Sequence, residues 1–127
     1  MLYEGQTADG LTCIKSIYDR FDGLKRNPFD EPECGRNYAC ALASWASVLA
    51  LSGFHYSGVE KSMSFTSVPG NYFWSNGSAW GTCLVEGKKA TLNVLYGGIK
   101  LTKCTLGTMG SVKMKNAIIR MNDIKVF

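Results

Sequence analysis

A short polar segment ahead of an apolar stretch holds the residue types best suited to binding chemistry. Residues 26–38 include the carboxylates of Glu31 and Glu33 and the guanidinium groups of Arg26 and Arg36. Each carboxylate oxygen can accept a hydrogen bond from a sugar hydroxyl, and charge-assisted hydrogen bonds are the stronger kind. Because binding residues are often held in a loop beside a rigid element, this segment predicts a binding site.

The same charged side chains have a structural alternative. The positive end of a helix dipole favours nearby anions, so Glu31 and Glu33 could instead stabilise the helix that follows. Arg26 could likewise contact a ligand or hold the loop through Asp30 and Glu31. The residue types alone leave both roles open.

Two stretches carry apolar residues at the three- and four-residue spacing of a helix. The first covers residues 11–21. The second runs from Arg36 or Asn37 to Ser52 and carries no charged residue after Arg36. A helix that is apolar on nearly every side is buried on most sides, as the inner helix of a larger helical barrel would be. Residues 1–56 are therefore predicted to form a helical hairpin.

Beyond Tyr56, short runs of alternating polar and apolar residues replace the helical spacing. The predicted strands are Lys61–Thr66, Asn71–Ser75, Ala79–Val85, Lys89–Tyr96, Gly98–Thr105, Gly110–Met114 and Ala117–Phe127. In the fourth of these, alternation places Tyr96 on the same side as Leu92 and Val94. The chain is therefore predicted to be an α+β protein, a helical segment followed by an antiparallel β region over residues 57–127 in one packed unit.

Two tryptophans bracket a turn-rich segment of the β region. Trp74 and Trp80 stand on either side of Ser75-Asn76-Gly77-Ser78. Exposed aromatic rings beside a polar turn would form a platform for the apolar face of a sugar. The alternative is that both rings, together with Phe73, cover the apolar face of the sheet, and the sequence leaves both interpretations open.

Composition and charge exclude several classes of protein. The chain has 127 residues, of which 46% are hydrophobic and 19% are charged, as in an ordinary folded domain. Its net charge of +4 is spread along the chain without a basic motif, so we expect no nucleic-acid partner. No apolar run reaches the roughly 18 residues of a transmembrane helix, so we expect no membrane span.

Cysteine and histidine usage argues against a metal site or another cofactor. The five cysteines are widely spaced, no Cys-x-x-Cys pair occurs, and His55 is the only histidine. A zinc site built from these residues would lack the usual close pairs of ligands, so we predict no metal. An odd number of cysteines, with no visible signal peptide at Met1, favours free thiols in a reducing compartment and hence a cytoplasmic location.

Several ordered blocks of the sequence together resemble one enzyme family. They are Asp19–Gly23, Arg26–Gly35, Tyr38-Ala39, Ala43–Trp45, Leu49–Tyr56, Phe73–Gly81 and Thr91–Gly98. Their order resembles the C-terminal part of glycoside hydrolase family 116, the family of the non-lysosomal glucosylceramidases, over roughly residues 1–106. The resemblance implies retaining hydrolysis of β-glucosides, a carbohydrate partner, and helices that end an α/α barrel.

The resemblance also implies roles for individual residues. Glu31 matches the glutamate that binds sugar hydroxyls in the family, and Glu33 would support the loop. Cys40 stands where the family typically carries an arginine, and a thiol cannot supply a planar charged donor fork. Either Arg36 substitutes for that arginine or this chain takes a different sugar. The predicted substrate-binding residues are Glu31, Glu33, Arg36, Arg26 and Trp80.

Catalytic residues are not predicted in this chain. A retaining glycosidase needs two carboxyl groups about 5–5.5 Å apart. In the family, the catalytic glutamate and aspartate precede the matching blocks, and nothing in residues 1–127 resembles their motifs. We therefore expect a C-terminal part that closes the barrel and lines the sugar pocket, beside a catalytic part preceding Met1 or on a separate chain. The alternative is a stand-alone carbohydrate-binding or self-associating structural module.

Overall fold

The computed structural model describes residues 1–24 and 41–126. The chain divides into two compact units, Met1–Leu51 and Ser52–Phe127. The first unit is helical and the second is built from strands, so the predicted α+β class is confirmed.

The described residues of the first unit form a short 3-10 helix, Leu2–Glu4, and two α-helices, α1 (Thr7–Tyr18) and α2 (Ala41–Ser52). The 3-10 helix packs closely on α1, because a Cβ atom added at Gly10 would lie 2.6 Å from Leu2 Cδ2. Helix α1 begins and ends earlier than the predicted stretch of 11–21. The predicted start of α2 at Arg36 or Asn37 lies outside the described residues.

Helix α2 ends where the sequence predicts, at a glycine. Gly53 adopts a φ of +60°, a conformation that residues with a Cβ rarely adopt. Its backbone also approaches Thr66 closely, because an added Cβ would lie 2.7 Å from Thr66 N. The amide of Thr66 donates a hydrogen bond of 2.7 Å to the carbonyl of Ser52, the last residue of the helix. The start of the second unit is therefore tied to the end of its second strand.

The second unit has eight strands in two four-stranded sheets. The strands are β1 (His55–Ser57), β2 (Ser62–Phe65), β3 (Gly70–Ser75), β4 (Trp80–Glu86), β5 (Lys89–Tyr96), β6 (Gly98–Leu106), β7 (Gly110–Arg120) and β8 (Ile124–Val126). The first sheet has the order β1-β2-β6-β7, and the second sheet has the order β3-β4-β5-β8. All seven predicted strand ranges contain strand residues, and β1 is an additional strand of three residues.

One pair of strands is parallel. Strand β2 pairs with β6 in parallel, whereas the remaining pairs are antiparallel. The chain leaves the first sheet after β2, forms the three consecutive strands β3 to β5 of the second sheet, and returns to the first sheet in β6. Local alternation cannot reveal such a crossover, because the pairing partners are distant in sequence.

The C-terminal strands also differ from the prediction. The sequence predicts separate strands over Gly110–Met114 and Ala117–Phe127, with a hairpin turn around Asn116 or around Asn122-Asp123. In the structure, β7 continues without interruption from Gly110 to Arg120. A turn then follows, in which Asn122 has a φ of +68° and the Asp123 carboxylate accepts a 2.8 Å hydrogen bond from the Arg120 amide. This turn sends β8 into the second sheet.

Both sheets contribute to one apolar core. The first sheet provides Met63, Phe65, Ile99, Leu101, Leu106 and Ile119, and the second provides Trp74, Cys83, Val85, Ala90, Leu92 and Val94. Along β5, buried residues alternate with partly exposed ones, as expected for a strand with one face on the core. Each sheet therefore leaves its other face available for function.

Candidate functional site

Of the five predicted substrate-binding residues, one lies in the part of the chain that the structure describes. Trp80 is the first residue of β4. Arg26, Glu31, Glu33 and Arg36 lie outside the described residues, as does Cys40. The description of a site therefore begins with Trp80 and its neighbours.

A tight turn places Trp80 at the start of its strand. The side-chain oxygen of Asn76 accepts hydrogen bonds from the amides of Ser78 (3.1 Å) and Ala79 (2.8 Å). The amide of Asn76 donates a 3.0 Å bond to the Ala79 carbonyl, and Gly77 takes a φ of +86°. Asparagine and glycine favour such turns because of these local bonds and the positive φ. The turn fixes the register of β3 against β4.

This register gives the two tryptophans opposite environments. Ser75 pairs with Trp80, and Trp74 pairs with Gly81. Since successive residues of a strand face opposite sides of the sheet, the two indoles point to different faces. Trp74 is completely buried and packs 6.5 Å from Phe54, whereas Trp80 is 42% exposed. Of the two tryptophans, Trp80 alone can reach a ligand on the outer face.

A bulge in β5 brings a tyrosine beside Trp80. Trp80 pairs with Tyr96, but the next residue, Gly81, pairs with Val94, so that Leu95 is an extra residue in β5. A bulge of this kind bends the strand and redirects side chains. A Cβ atom at Gly81 would collide with the carbonyl oxygen of Asn93, so the close approach at the bulge requires glycine.

The result is a row of three exposed rings, one from each of three neighbouring strands. We call Phe73, Trp80 and Tyr96 the aromatic row. The ring centroids of Phe73 and Trp80 lie 6.3 Å apart, and those of Trp80 and Tyr96 lie 6.4 Å apart at an interplanar angle of 18°. The three side chains are 43%, 42% and 59% exposed. Contacts between the rings hold them in place without hiding them from solvent.

Polar side chains adjoin the aromatic row on the same outer face. Phe73 pairs with Thr82, and Thr82 pairs in turn with Asn93 on β5. Both polar side chains are partly exposed. A hydroxyl and a carboxamide can each donate and accept hydrogen bonds. The face thus combines apolar ring surfaces with groups that suit sugar hydroxyls.

The sequence identified one member of the row but not the other two. Alternation placed Tyr96 on the same side as Leu92 and Val94, which are buried. The bulge at Leu95 reverses this assignment for Tyr96. A glycine in a strand often marks a bulge, so Gly81 was the signal that could have indicated it. The sequence named Phe73 only as a residue that could cover the apolar face of the sheet. Its exposure follows from the strand register.

The two buried thiols among the described residues, Cys83 and Cys104, are not activated as nucleophiles. Burial raises the pKa of Cys83 to about 12 and that of Cys104 to about 11, so both thiols stay protonated near neutral pH. Cys13, Cys83 and Cys104 are free cysteines. Among the residues that the structure describes, no group of three or more His, Cys, Asp and Glu side chains could hold a metal ion.

The described residues contain no helix that is long and apolar enough to cross a membrane. Neither α1 nor α2 is long enough to cross a bilayer, and each has 12 residues. A spanning helix needs about 20 predominantly apolar residues.

No family model matches this chain, and no curated protein matches it significantly. The geometry of its own residues is therefore what bears on function. In that geometry the aromatic row presents three exposed ring surfaces, with the hydrogen-bonding side chains of Thr82 and Asn93 beside them.

Proposed function

We propose that this chain is the C-terminal, carbohydrate-binding part of a retaining β-glycosidase similar to the glucosylceramidases. The observation that carries this proposal is the aromatic row of Phe73, Trp80 and Tyr96, three adjacent exposed rings on one sheet face. The apolar C–H face of a sugar packs on such rings, whose faces carry partial negative charge. All three residues fall within the sequence blocks that resemble glycoside hydrolase family 116.

The sheet supports binding because it fixes the rings in advance. Phe73 and Trp80 lie on strands joined by the tight turn at Asn76, and Tyr96 lies on the bulged strand beside them. A ligand that meets rings already in position loses less affinity to side-chain ordering. Thr82 and Asn93 would then select for hydroxyl groups at the edge of the row.

The loop residues belong to the same proposal. Glu31 would accept hydrogen bonds from sugar hydroxyls, with Glu33, Arg26 and Arg36 supporting the pocket. The two helices would close the barrel of the enzyme, and the catalytic carboxylates would come from a part preceding Met1 or from a separate chain. The free thiols of Cys13, Cys83 and Cys104 support a reducing, cytoplasmic compartment.

The test is a comparison of two variants on the same sheet face. Trp80→Ala removes the central ring of the aromatic row, and Leu84→Ala removes a side chain of similar exposure outside the row. Titration calorimetry with short β-glucan oligosaccharides should show binding by the wild-type chain. We expect Trp80→Ala to weaken it by about tenfold or more, since truncating a central tryptophan of a binding surface often costs about 2 kcal/mol or more.

The control variant Leu84→Ala should keep the affinity within about twofold, because single exposed apolar groups outside a binding centre contribute little. Circular dichroism of both variants checks that the fold is intact. Absence of binding by the wild-type chain, or an equal loss in both variants, would overturn the proposed function.

A self-associating structural module is the second candidate function. Helix α2 exposes Trp45, Val48 and Leu51, which are 39%, 40% and 37% accessible and follow one another at three-residue spacing. Residues at this spacing form one stripe on a helix surface. Between α1 and α2, residues such as Ile14 and Ala50 line an open apolar hollow of about 340 Å³. Contiguous apolar surfaces of this kind often mark a contact with another protein chain.

A further inference from the structure

The outer face of the first sheet has a different chemistry from the aromatic row. Strand register places Lys103 of β6 between Ser62 of β2 and Lys113 of β7. The same register places Thr105 between Ser64 and Ser111. We call this set the lysine face, and it consists of Ser62, Ser64, Lys103, Thr105, Ser111 and Lys113.

We propose that the lysine face binds an acidic polysaccharide, a glycan that carries carboxylate or sulfate groups. The inference goes beyond the proposed function, because it concerns the other sheet and a charged ligand. Lysine ammonium groups and serine or threonine hydroxyls all donate hydrogen bonds to anionic oxygens. The rows extend over three strands, a width of about 10 Å at the usual strand spacing.

Charge distribution is the first argument for an anionic ligand. The second unit, Ser52–Phe127, contains nine Lys and Arg residues but only Glu60, Glu86 and Asp123 as acids. The first unit carries an excess of acidic residues. The modest net charge of the whole chain therefore conceals a strongly basic β unit, and clustered charge of one sign attracts ligands of the other.

The direct opposition of two lysines is the second argument. Lys103 and Lys113 face each other across β6 and β7, and both are exposed. Side chains in opposed positions have Cβ atoms about 4.5–5.5 Å apart, and like charges there destabilise the sheet. Among the residues that the structure describes, the salt bridge that forms joins Lys15 of α1 to Asp19, which follows that helix, so neither Lys103 nor Lys113 is neutralised there. An anionic group bound between them would remove the repulsion.

One acidic side chain contacts the lysine face at Ser62, and another lies at the end of β7. Glu60 precedes β2 and accepts a 3.2 Å hydrogen bond from the Ser62 hydroxyl. Asp123 accepts a hydrogen bond from the Arg120 amide at the end of β7. Lys100 extends the basic surface along β6, opposite Ile118. The Ser64 hydroxyl donates a 3.4 Å hydrogen bond to the Gly53 carbonyl. The groups that face an incoming anion are therefore chiefly the two lysines, with the hydroxyls of Thr105 and Ser111 beside them.

The composition of the face favours a glycan over other polyanions. No Phe, Tyr or Trp belongs to the lysine face, and the ring that adjoins it is the single imidazole of His55, opposite Ser64. A surface that binds single strands usually offers several aromatic rings on which successive bases stack. Ile118 is the main apolar side chain beside it, whereas a membrane-binding surface combines basic residues with a broad apolar face. Rows of hydroxyls beside ammonium groups suit a ligand that bears both hydroxyl and carboxylate or sulfate groups.

The experiment uses a pair of double variants of the full chain. Lys103→Ser with Lys113→Ser removes the centre of the lysine face. Lys88→Ser with Lys89→Ser changes the net charge equally on the other sheet, at the exposed β4–β5 turn and the first residue of β5. Affinity electrophoresis in gels containing polygalacturonate, dextran sulfate or neutral dextran measures binding at low and raised ionic strength.

We expect a charged glycan in the gel to slow the migration of the wild-type chain, and neutral dextran to leave it unchanged. The slowing should be smaller at raised salt, because salt screens the charges. The lysine-face variant should lose about tenfold or more in affinity, because it removes two charge-assisted contacts. The control variant should stay within about twofold. Thermal unfolding should show no loss of stability in the lysine-face variant, since a repulsive pair has been removed.

Equal losses in the two double variants would overturn the proposal in favour of diffuse charge attraction. Tighter binding to a DNA duplex or to phosphatidylserine vesicles than to either charged glycan would overturn the assigned partner. Trp80→Ala should leave binding to charged glycans unchanged. If the wild-type chain binds charged glycans but not β-glucan oligosaccharides, the proposed function is contradicted. If it binds β-glucan oligosaccharides but not charged glycans, this inference is contradicted.

Discussion

Alternate residues of a strand face opposite sides of the sheet, and this decides whether a side chain lies in the core or on the outer face. Trp74 and Trp80 belong to one hairpin, yet one is fully buried and the other is exposed. The turn at Asn76 sets which residues pair, and pairing sets which face each side chain occupies. Identical side chains close together in sequence thus serve the core and the aromatic row.

Cysteine burial makes stability depend on pH at the residue scale. The pKa of Cys83 is raised to about 12 and that of Cys104 to about 11, mainly because burial disfavours the thiolate. In the unfolded chain, thiols titrate near pH 8.5, so above about pH 9 the unfolded state loses protons that the folded state keeps. The free energy of unfolding should therefore be unaffected below this range and fall as the pH rises through it.

Cys83→Ala should make this alkaline decline less steep than in the wild-type chain. Denaturant unfolding between about pH 8 and pH 10.5 measures the decline. Cys13 is exposed, and Cys13→Ala should keep the wild-type slope. The same slope for Cys83→Ala and wild type would show that the buried thiol does not carry the effect.

At the scale of elements, the β4–β5 bulge decides the shape of the aromatic row. The extra residue Leu95 allows Trp80 and Tyr96 to lie opposite each other. Gly81 is part of the same feature, because a Cβ there would collide with the Asn93 carbonyl oxygen. Bulges frequently serve to redirect a side chain, and this one redirects Tyr96 from the core face to the outer face.

Gly81→Ala should therefore disturb both stability and binding. We expect a loss of about 3 kcal/mol in the free energy of unfolding, since the new methyl group meets backbone and not a movable side chain. Denaturant unfolding and titration with β-glucan oligosaccharides measure the two effects.

Gly58→Ala is the matched control for this prediction. A Cβ at Gly58 would make ordinary contacts with the Tyr56 ring, at 3.7 Å or more. Its effect on stability should stay within about 1 kcal/mol. If Gly81→Ala is as mild as Gly58→Ala, the close approach at the bulge is not what holds the two strands in register.

At the scale of the whole molecule, the β unit presents different chemistry on its two outer faces. The second sheet carries the aromatic row, and the first carries the lysine face. One shared core holds both sheets, so neither face has to supply the packing that stabilises the unit. This separation allows the two proposed ligands to be tested independently.

The exposed stripe on α2 leads to a prediction about assembly. If the self-associating function holds, Val48→Lys combined with Leu51→Lys should raise the dissociation constant of the assembly by about tenfold or more, because charges would be buried at an apolar contact. Sedimentation velocity over a range of concentrations measures this.

Val59→Lys provides the control for assembly, because Val59 is 95% exposed in the turn before β2. It should leave the assembly unchanged. A wild-type chain that stays monomeric at all concentrations would contradict the self-associating function without touching the carbohydrate proposals.

Much of the fold could be predicted from local pattern. The apolar character of α2, its end at Gly53, and the alternation in β3 to β6 all depend on residues close in sequence. Strands β4 and β5 were placed to within two residues for this reason. Helix α1 was placed less well, because its first turn, at Thr7, carries few apolar residues.

Long-range pairing could not be predicted in the same way. The parallel contact of β2 with β6, the crossing of the chain from β7 into β8 of the other sheet, and the outward turn of Tyr96 all depend on distant partners. Of the candidate site, Trp80 was named from its neighbours in sequence. Its two ring partners come from other strands, so their exposure required the register.

Residue order alone was therefore sufficient for the α+β class and for Trp80 as a candidate sugar contact, because helix and strand periods and turn residues are local properties. The assembly of Phe73, Trp80 and Tyr96 into one row, and of Lys103 and Lys113 into an opposed pair, arises only when strands pair. A shift of one residue in a strand turns every side chain to the opposite face, so the chemistry of each outer face is a property of the register.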